Sequence, residues 1–228
     1  MSTLKEILNS VMDDAFEERE ASYATNSQSE YQRLVRFANK AIEDILTQYD
    51  WGLLKRRGTI AVVDGTTLYD LPDDYSYMIN DTANTESGFR DIELPASDQI
   101  VAYDDSWSRI GYMVRILGNQ VEIKNGDEGN MNYMYMTNHV VRTASGNTTS
   151  NKFTADNDEW LLDDELLIRG ILWRWQRAEG DDASWQVSLS DFTNHLENMK
   201  GRDTAARVIN SDISERYKNL PFWVKYIQ

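Results

Sequence analysis

The chain contains no cysteine among its 228 residues. This absence excludes disulfide bonds, thiolate metal sites and cysteine nucleophiles, and it is typical of a protein that folds in a reducing compartment. Basic side chains are scarce, because 23 lysines and arginines accompany 38 aspartates and glutamates, for a net charge of −15. A chain with this charge repels phosphate groups, so conventional DNA or RNA binding is not expected.

Long hydrophobic runs are also missing. Residues 1–20 have no continuous apolar core after a basic start, as a signal peptide would have, and no later stretch approaches the length of a membrane span. We therefore expect a soluble protein that is made in the cytoplasm and has no membrane partner.

The motifs of common enzyme classes are absent too. The sequence has no GxxxxGK[ST], GxGxxG, HExxH or GxSxG pattern, and His139 and His195 stand isolated from one another. The densest acidic cluster, residues 156–165, lacks the glycine and the ligand spacing of a calcium loop. Acids at a helix start are favoured by the helix dipole, which explains this cluster without any chemistry. We predict a protein that is not an enzyme, with no cofactor and no metal site.

The spacing of apolar residues predicts both secondary-structure types. Helical periodicity covers residues 3–20, 30–49, 160–179 and 183–200, and Gly201 is expected to end the last helix. Between residues 52 and 142 the period becomes two, and the turn signals Asp64-Gly65 and Gly118-Asn119 predict hairpins. The expected class is α+β, with a core bundle of about four helices, an inserted antiparallel β-rich domain and an extended C-terminal tail. The predicted boundaries are residues 1–51 and 151–201 for the helical body, 52–150 for the β-rich insertion and 202–228 for the C-terminal extension.

Residues 156–182, "DNDEWLLDDELLIRGILWRWQRAEGDD", contain three tryptophans. A helical wheel places Trp175 on a broad core face, whereas Leu162, Leu166 and Trp173 form a second apolar stripe near the opposite side. Leaving this stripe in water would forgo roughly 5 to 8 kcal/mol. Either the same chain covers the stripe or a neighbouring subunit does. Aromatic and arginine residues are enriched at interfaces, so our hypothesis is a subunit interface. Its residues are Leu162, Leu166, Arg169, Trp173 and Arg177.

Several segments carry a family resemblance. These are "ILTQYDWGLLKRRGTIAV", "LYDLPDDYSYM" and "FTADNDEWLLDDELLIRGILWRWQRAEGDDASWQ", within about residues 1–200. Their layout resembles the head-to-tail adaptor, or connector, proteins of tailed bacteriophages, particularly short-tailed ones. The resemblance implies a structural virion protein in the neck between capsid and tail. It also implies a dodecameric ring beneath the portal protein that extends the DNA channel and provides the attachment site for a tail or nozzle protein. DNA would pass through the channel without specific binding.

The C-terminal residues are aromatic and show no sustained period. The resemblance implies that they reach toward the portal, and the predicted anchors are Tyr217, Phe222, Trp223, Tyr226 and Ile227. The alternative is that this tail folds back over its own protomer. Two other functions also remain open at this point: a tail-terminator or tail-tube component, and an acidic enzyme that acts on glycans with a pair of carboxylates.

Overall fold

A computed structural model describes residues 1–15, 17–79, 82–85, 113–124, 129–146, 148–180 and 184–218, without the side chains of 84, 85, 113, 124 and 205–218. Two compact units divide the chain. A helical unit combines Met1–Leu53 with Val140–Gln228, and a β unit comprises Leu54–His139. The predicted α+β class is confirmed. No helix in the described part of the chain is long and apolar enough to cross a membrane.

Four helices build the helical unit: α1 (Leu4–Asp14), α2 (Ser29–Gln48), α3 (Asp164–Glu179) and α4 (Ser184–Lys218). Helix α1 begins with a capping box, in which the Thr3 hydroxyl accepts from the Glu6 N–H while the Glu6 carboxylate accepts from the Thr3 N–H. Helix α3 packs against α1, α2 and α4. Its close approach to two neighbours depends on Gly170, where a Cβ would lie 3.1 Å from Ala41 and 3.3 Å from Phe192.

The helical unit also contains a small antiparallel sheet. Its strands are β8 (Val141–Arg142), β9 (Thr149–Ser150) and β10 (Glu159–Trp160), in the order β10-β8-β9. The predicted helix over residues 160–179 therefore starts too early, because Trp160 pairs with Val141 in this sheet and α3 begins at Asp164.

The described residues of the β unit form two further antiparallel sheets. Its strands are β1 (Lys55–Val62), β2 (Leu68–Asp70), β3 (Tyr75–Met78), β4 (Asn84–Thr85), β5 (Met113–Leu117), β6 (Gln120–Lys124) and β7 (Gly129–Thr137), after a 3-10 turn at Gly52–Leu54. One sheet has the order β1-β7-β3, with β4 also paired to β7, and the other has the order β2-β6-β5. The core between them is apolar and buried, and it includes Ile60, Val114, Val121, Met131 and Tyr133.

The two predicted hairpins have different outcomes. Gly118 adopts a positive φ of 62° between the paired strands β5 and β6, which confirms the hairpin at Gly118-Asn119. The hairpin at Asp64-Gly65 is wrong. A turn does form there, with Gly65 at φ 76°, but β1 pairs with β7 and β2 pairs with β6. The turn carries the chain from one sheet to the other, since long-range pairing decides the strand partners.

The predicted end of the last helix at Gly201 is also wrong, because α4 continues through Gly201 to Lys218. Nothing in the described structure approaches a Cβ at this position within 4 Å, so the glycine is not required for close packing. A glycine inside a helix costs only about 1 kcal/mol, and the residues that follow it, "RDTAARV", include good helix formers.

Candidate interaction surfaces

Two of the three tryptophans in residues 156–182 belong to the core of the helical unit. Trp160 is fully buried and donates its indole N–H to the Asp163 carbonyl over 2.9 Å. Trp175 is also buried, and the Arg33 guanidinium lies 5.3 Å from its ring centroid. The prediction that Trp175 occupies the core face of α3 is confirmed.

The acidic cluster organises the start of α3. Asp163 is the N-cap, since its carboxylate accepts from the Leu166 N–H at 2.9 Å, and the same oxygen lies 2.8 Å from Nε2 of His195 in α4. Asp164 accepts from the Ser2 hydroxyl at 2.8 Å, which ties the N-terminus of the chain to this helix. Helix-start electrostatics thus accounts for these two acids. In the described ranges, no three acidic or histidine side chains converge on a position that could hold a metal ion.

Two other acids of the cluster hold loops together, a role that sequence reasoning missed. The Asp158 carboxylate is buried and accepts from the N–H groups of Ala144 (3.0 Å), Thr154 (2.7 Å) and Ala155 (2.8 Å). Burial raises the pKa of Asp158, but these hydrogen bonds outweigh it, so the net effect is a lowered pKa.

Asp156 has the same role toward the loop before α2. Its carboxylate accepts from the N–H groups of Tyr23 at 3.0 Å and Ala24 at 2.8 Å, and from the Ser22 hydroxyl. Burial again raises the pKa of Asp156, and the hydrogen bonds lower it by more. The only available signal in the sequence was two acids separated by one residue just before a helix, which does not specify the loops that they bind.

The structure places the residues of the predicted stripe in two different pockets. The first, which we call the Leu162 cleft, has a volume of about 450 Å³. Its apolar lining consists of Trp51, Leu53, Leu161, Leu162, Leu166 and Met199. Leu53 is 60% exposed, whereas Leu166 is fully buried by the rest of the chain. Leu162 is only partly buried, so it remains accessible in this cleft, whereas Leu166 is not accessible.

The second pocket, which we call the Trp173 groove, lies between α2 and α3 and has a volume of about 390 Å³. Its lining consists of Phe37, Lys40, Trp173, Arg174, Arg177 and Ala178. Trp173 is partly buried there. The α2 wall of this groove could not be read from the sequence, because the wheel of α3 gives no information on which side of α2 packs beside it.

One guanidinium contacts the Trp173 ring, and a second lies elsewhere in the groove lining. The Arg174 guanidinium lies 4.2 Å from the ring centroid, and it is buried between the Gly170 carbonyl and the Asp44 carboxylate, with which it forms hydrogen bonds. Burial lowers the pKa of Arg174, and the Asp44 charge partly offsets this effect. Arg177 stacks 5.4 Å from the ring centroid of Trp185. The groove is thus aromatic at its centre and carries positive charge at its rim.

The other predicted interface residue, Arg169, is directed toward α4. Its guanidinium pairs with Glu165 at 2.7 Å and lies 3.8 Å from Asp191 of α4. Of the predicted portal anchors, Tyr217 falls within α4, although its side chain is outside the description. Phe222, Trp223, Tyr226 and Ile227 lie outside the described residues.

Comparison with known proteins identifies the family. A family model described as SU10 adaptor protein matches residues 2–212, which span both compact units. The chain belongs to the SU10 adaptor protein family. The predicted resemblance to phage head-to-tail adaptors is thereby confirmed. No curated protein sequence matches this chain.

Family membership establishes the general role of the protein. The adaptor is a structural component of a phage virion, and its family implies association with the portal and the tail. Membership in a structural family also implies that the adaptor is not an enzyme.

Proposed function

We propose that the adaptor assembles as a dodecameric ring beneath the portal protein in the neck of the virion, extends the DNA channel and provides the attachment site for the tail or nozzle protein. The observation that carries this proposal is the family match over residues 2–212. It covers nearly the whole chain, so the proposed role belongs to the complete fold and not to a shared segment.

Two exposed surfaces support ring formation. The Leu162 cleft and the Trp173 groove lie near opposite ends of α3 and differ in character. Charged residues of both signs, Asp163, Arg202 and Asp203, join the apolar lining of the cleft, whereas the charged residues that line the groove are basic. A ring requires a heterologous contact, in which one surface of a subunit meets a different surface of the next. We infer that Leu162, Trp173 and Arg177 contribute to such contacts. Leu166 and Arg169 then support the interface from within the protomer.

The net negative charge of the adaptor supports the proposal that DNA passes through its channel. With a net charge of −15, the adaptor repels phosphates overall, and this favours a lumen through which DNA moves without being retained. Lysine and arginine contacts to the backbone would instead hold DNA in a salt-dependent manner.

The C-terminal residues are proposed to anchor the adaptor on the portal. From Met199, beside the Leu162 cleft, α4 rises about 28 Å to Lys218 at about 1.5 Å per residue. Residues 219–223 span at most about 18 Å. A straight α4 thus places Lys218 farther from the Leu162 cleft of its own protomer than five residues can span, which supports a partner as the docking site for the large aromatic side chains of Phe222 and Trp223.

Removal of residues 219–228 tests the anchor. This truncation preserves α4, and we expect it to abolish binding to the portal while the fold of the helical unit, measured by circular dichroism, is retained. Unchanged portal binding by the truncated protein would show that the anchors lie elsewhere.

Native mass spectrometry of the adaptor, alone and mixed with portal protein, tests the ring itself. We expect a complex with twelve adaptor copies per portal ring, visible as an added layer in negative-stain images. Binding to tail proteins without binding to portal would instead support a tail-terminator or tail-tube role. Cleavage of cell-wall glycans without any assembly would support the enzyme alternative.

A further inference from the structure

The Trp173 groove contains a hydrogen-bond donor without an acceptor. The indole N–H of Trp173 is buried, and in the described part of the chain it has no hydrogen-bond partner. A buried polar group that stays unpaired is unfavourable, and most such groups in folded proteins do have a partner. An oxygen from another molecule would satisfy this N–H.

The rim of the groove favours a negatively charged occupant. The side chains of Lys40, Arg174 and Arg177 line the groove, and among the described residues no carboxylate belongs to its lining. The Asp44 carboxylate forms an ion pair with Arg174 and neutralises its charge. The Glu43 carboxylate lies 2.6 Å from the Lys40 ammonium on the exposed surface of α2. Arg177 makes no ion pair with any described carboxylate. In a chain with a net charge of −15, a basic rim is a local exception, and it complements most of the remaining surface.

The described surface offers a matching acidic segment at the C-terminal end of α1 and just beyond it. We define it as Asp13, Asp14, Glu17 and Glu18, all of which are exposed. Asp13 is paired with Arg19, whereas Asp14 is crowded by like charge. Desolvation raises the pKa of Asp14, the nearby carboxylates of Glu165 and Asp13 raise it further, and Arg169 offsets only part of this effect. A further cation from outside would relieve the remaining repulsion.

On one protomer the two surfaces are separated. Asp14 lies near Glu165 in the first turn of α3, and Trp173 follows about 12 Å farther along the helix axis. The unpaired indole N–H agrees with this separation. The acidic segment does not belong to the lining of the groove on its own protomer, which leaves the groove open to the segment of a different copy, in the head-to-tail manner that ring closure requires.

We propose that the Trp173 groove of one copy binds the acidic segment of the next copy. A carbonyl or carboxylate oxygen of that segment accepts from the Trp173 indole N–H, and its carboxylates pair with Arg177 and Lys40. This inference rests on the proposed ring and names the contact that closes it.

Charge reversal tests the contact in the full-length protein. A groove variant carries Lys40→Glu and Arg177→Glu, and a segment variant carries Glu17→Lys and Glu18→Lys. All four positions are exposed, so both variants are expected to fold, which circular dichroism verifies. The matched control carries Arg36→Glu and Lys152→Glu, two exposed charge reversals outside the groove.

Each variant alone is expected to lose ring formation on the portal, whereas the control retains it. A mixture of the groove variant and the segment variant has complementary charge at both kinds of contact. The acidic segment of the first fits the basic groove of the second, and the lysine segment of the second meets the glutamate groove of the first. The mixture should therefore recover ring formation, with the two variants alternating, as measured by native mass spectrometry. Rings of unchanged size from either variant alone, or a mixture that recovers no rings, would overturn the proposal.

A second measurement does not depend on ring formation. The indole N–H signal of Trp173 is assigned in a ¹⁵N spectrum by its loss in Trp173→Phe, and the probe is a synthetic peptide of residues 13–20, DDAFEERE. We expect this signal to move downfield on titration in the wild-type adaptor and to stay fixed in the groove variant. The same peptide with its acids changed to amides serves as the control probe.

The two measurements separate failure of the ring from failure of the contact. A shifted Trp173 signal in an adaptor that never forms rings supports the contact and refutes the proposed ring. Rings that form while the signal does not respond to the peptide overturn the contact and leave the ring intact. A signal that responds only to portal protein also overturns the contact, because it assigns the groove to the portal.

Discussion

The substitution Asp158→Asn should destabilise the helical unit strongly although it changes no volume. Asp158 immediately precedes β10, and its buried carboxylate accepts from three backbone N–H groups and from the Thr154 hydroxyl at 3.1 Å. An amide has one acceptor oxygen. If that oxygen keeps the Thr154 side of the site, its –NH₂ group faces the Ala144 N–H, and one buried donor loses its partner.

The magnitude follows from these contacts. Hydrogen bonds to a charged group contribute about 1.5–3 kcal/mol each, and an unsatisfied buried donor costs about 1–3 kcal/mol. One lost bond and the weakening of the rest give an expected loss of about 3 kcal/mol. In a chain of this size, 1 kcal/mol corresponds to about 2–4 °C, so the midpoint should fall by about 6–12 °C.

The assay is thermal and urea unfolding followed by ellipticity at 222 nm. All described helices belong to the helical unit, so this signal reports on the unit that contains Asp158. The neighbouring substitution Glu159→Gln is the control, because Glu159 forms a surface ion pair with Arg142 and should contribute less than about 1 kcal/mol. A loss below about 1 kcal/mol for Asp158→Asn would refute the assigned role of the carboxylate.

Three further predictions use unfolding measurements, followed at 222 nm for the helical unit and by the near-ultraviolet ellipticity of buried tyrosines such as Tyr133 for the β unit. The lowered pKa values of Asp156 and Asp158 mean that their contribution is complete above the unfolded aspartate pKa of about 3.9 and is lost as the pH falls through the folded values. The difference between wild type and Asp158→Asn should therefore shrink below about pH 4, and a constant difference would contradict this linkage. Gly58→Ala should cost about 1–3 kcal/mol in the β unit, because the new Cβ would lie 2.3 Å from the Tyr133 ring, whereas Ala61→Ser on the exposed face of β1 should be nearly neutral. Gly180→Ala should cost about 1 kcal/mol in the helical unit, because this residue ends α3 at φ 83°, and equal stability of the variant would argue against a left-handed cap.

Periodicity determined the type of most elements in advance. The apolar residues of α2 recur on one face, and Leu34, Ala38, Ile42 and Ile45 are all buried as that pattern predicts. The Gly118-Asn119 turn likewise predicted its hairpin correctly, since a two-residue loop pairs the two strands that flank it in the sequence. Such local signals need no information about the rest of the chain.

Long-range contacts decided the features that local signals could not. The turn at Asp64-Gly65 separates two sheets because β7, far along the chain, pairs with β1 over its whole length. Trp160 was predicted to be helical, but it lies in a strand and pairs with Val141. Helix α4 was predicted to end at Gly201, but it continues beyond this residue. In each case the partner of the segment, or the absence of a terminating contact, overrode a local preference of about 1 kcal/mol.

The candidate surfaces divide in the same way. The sequence by itself determined the charge of the adaptor, its lack of known catalytic motifs and the excess of large apolar side chains in residues 156–182. Only the tertiary structure decided that Leu166 is buried, that Leu162 and Trp173 lie in separate pockets, and that Phe37 and Lys40 complete the Trp173 groove. The physical reason is that a helical wheel assigns directions around one axis, whereas exposure depends on which neighbouring helices occupy those directions.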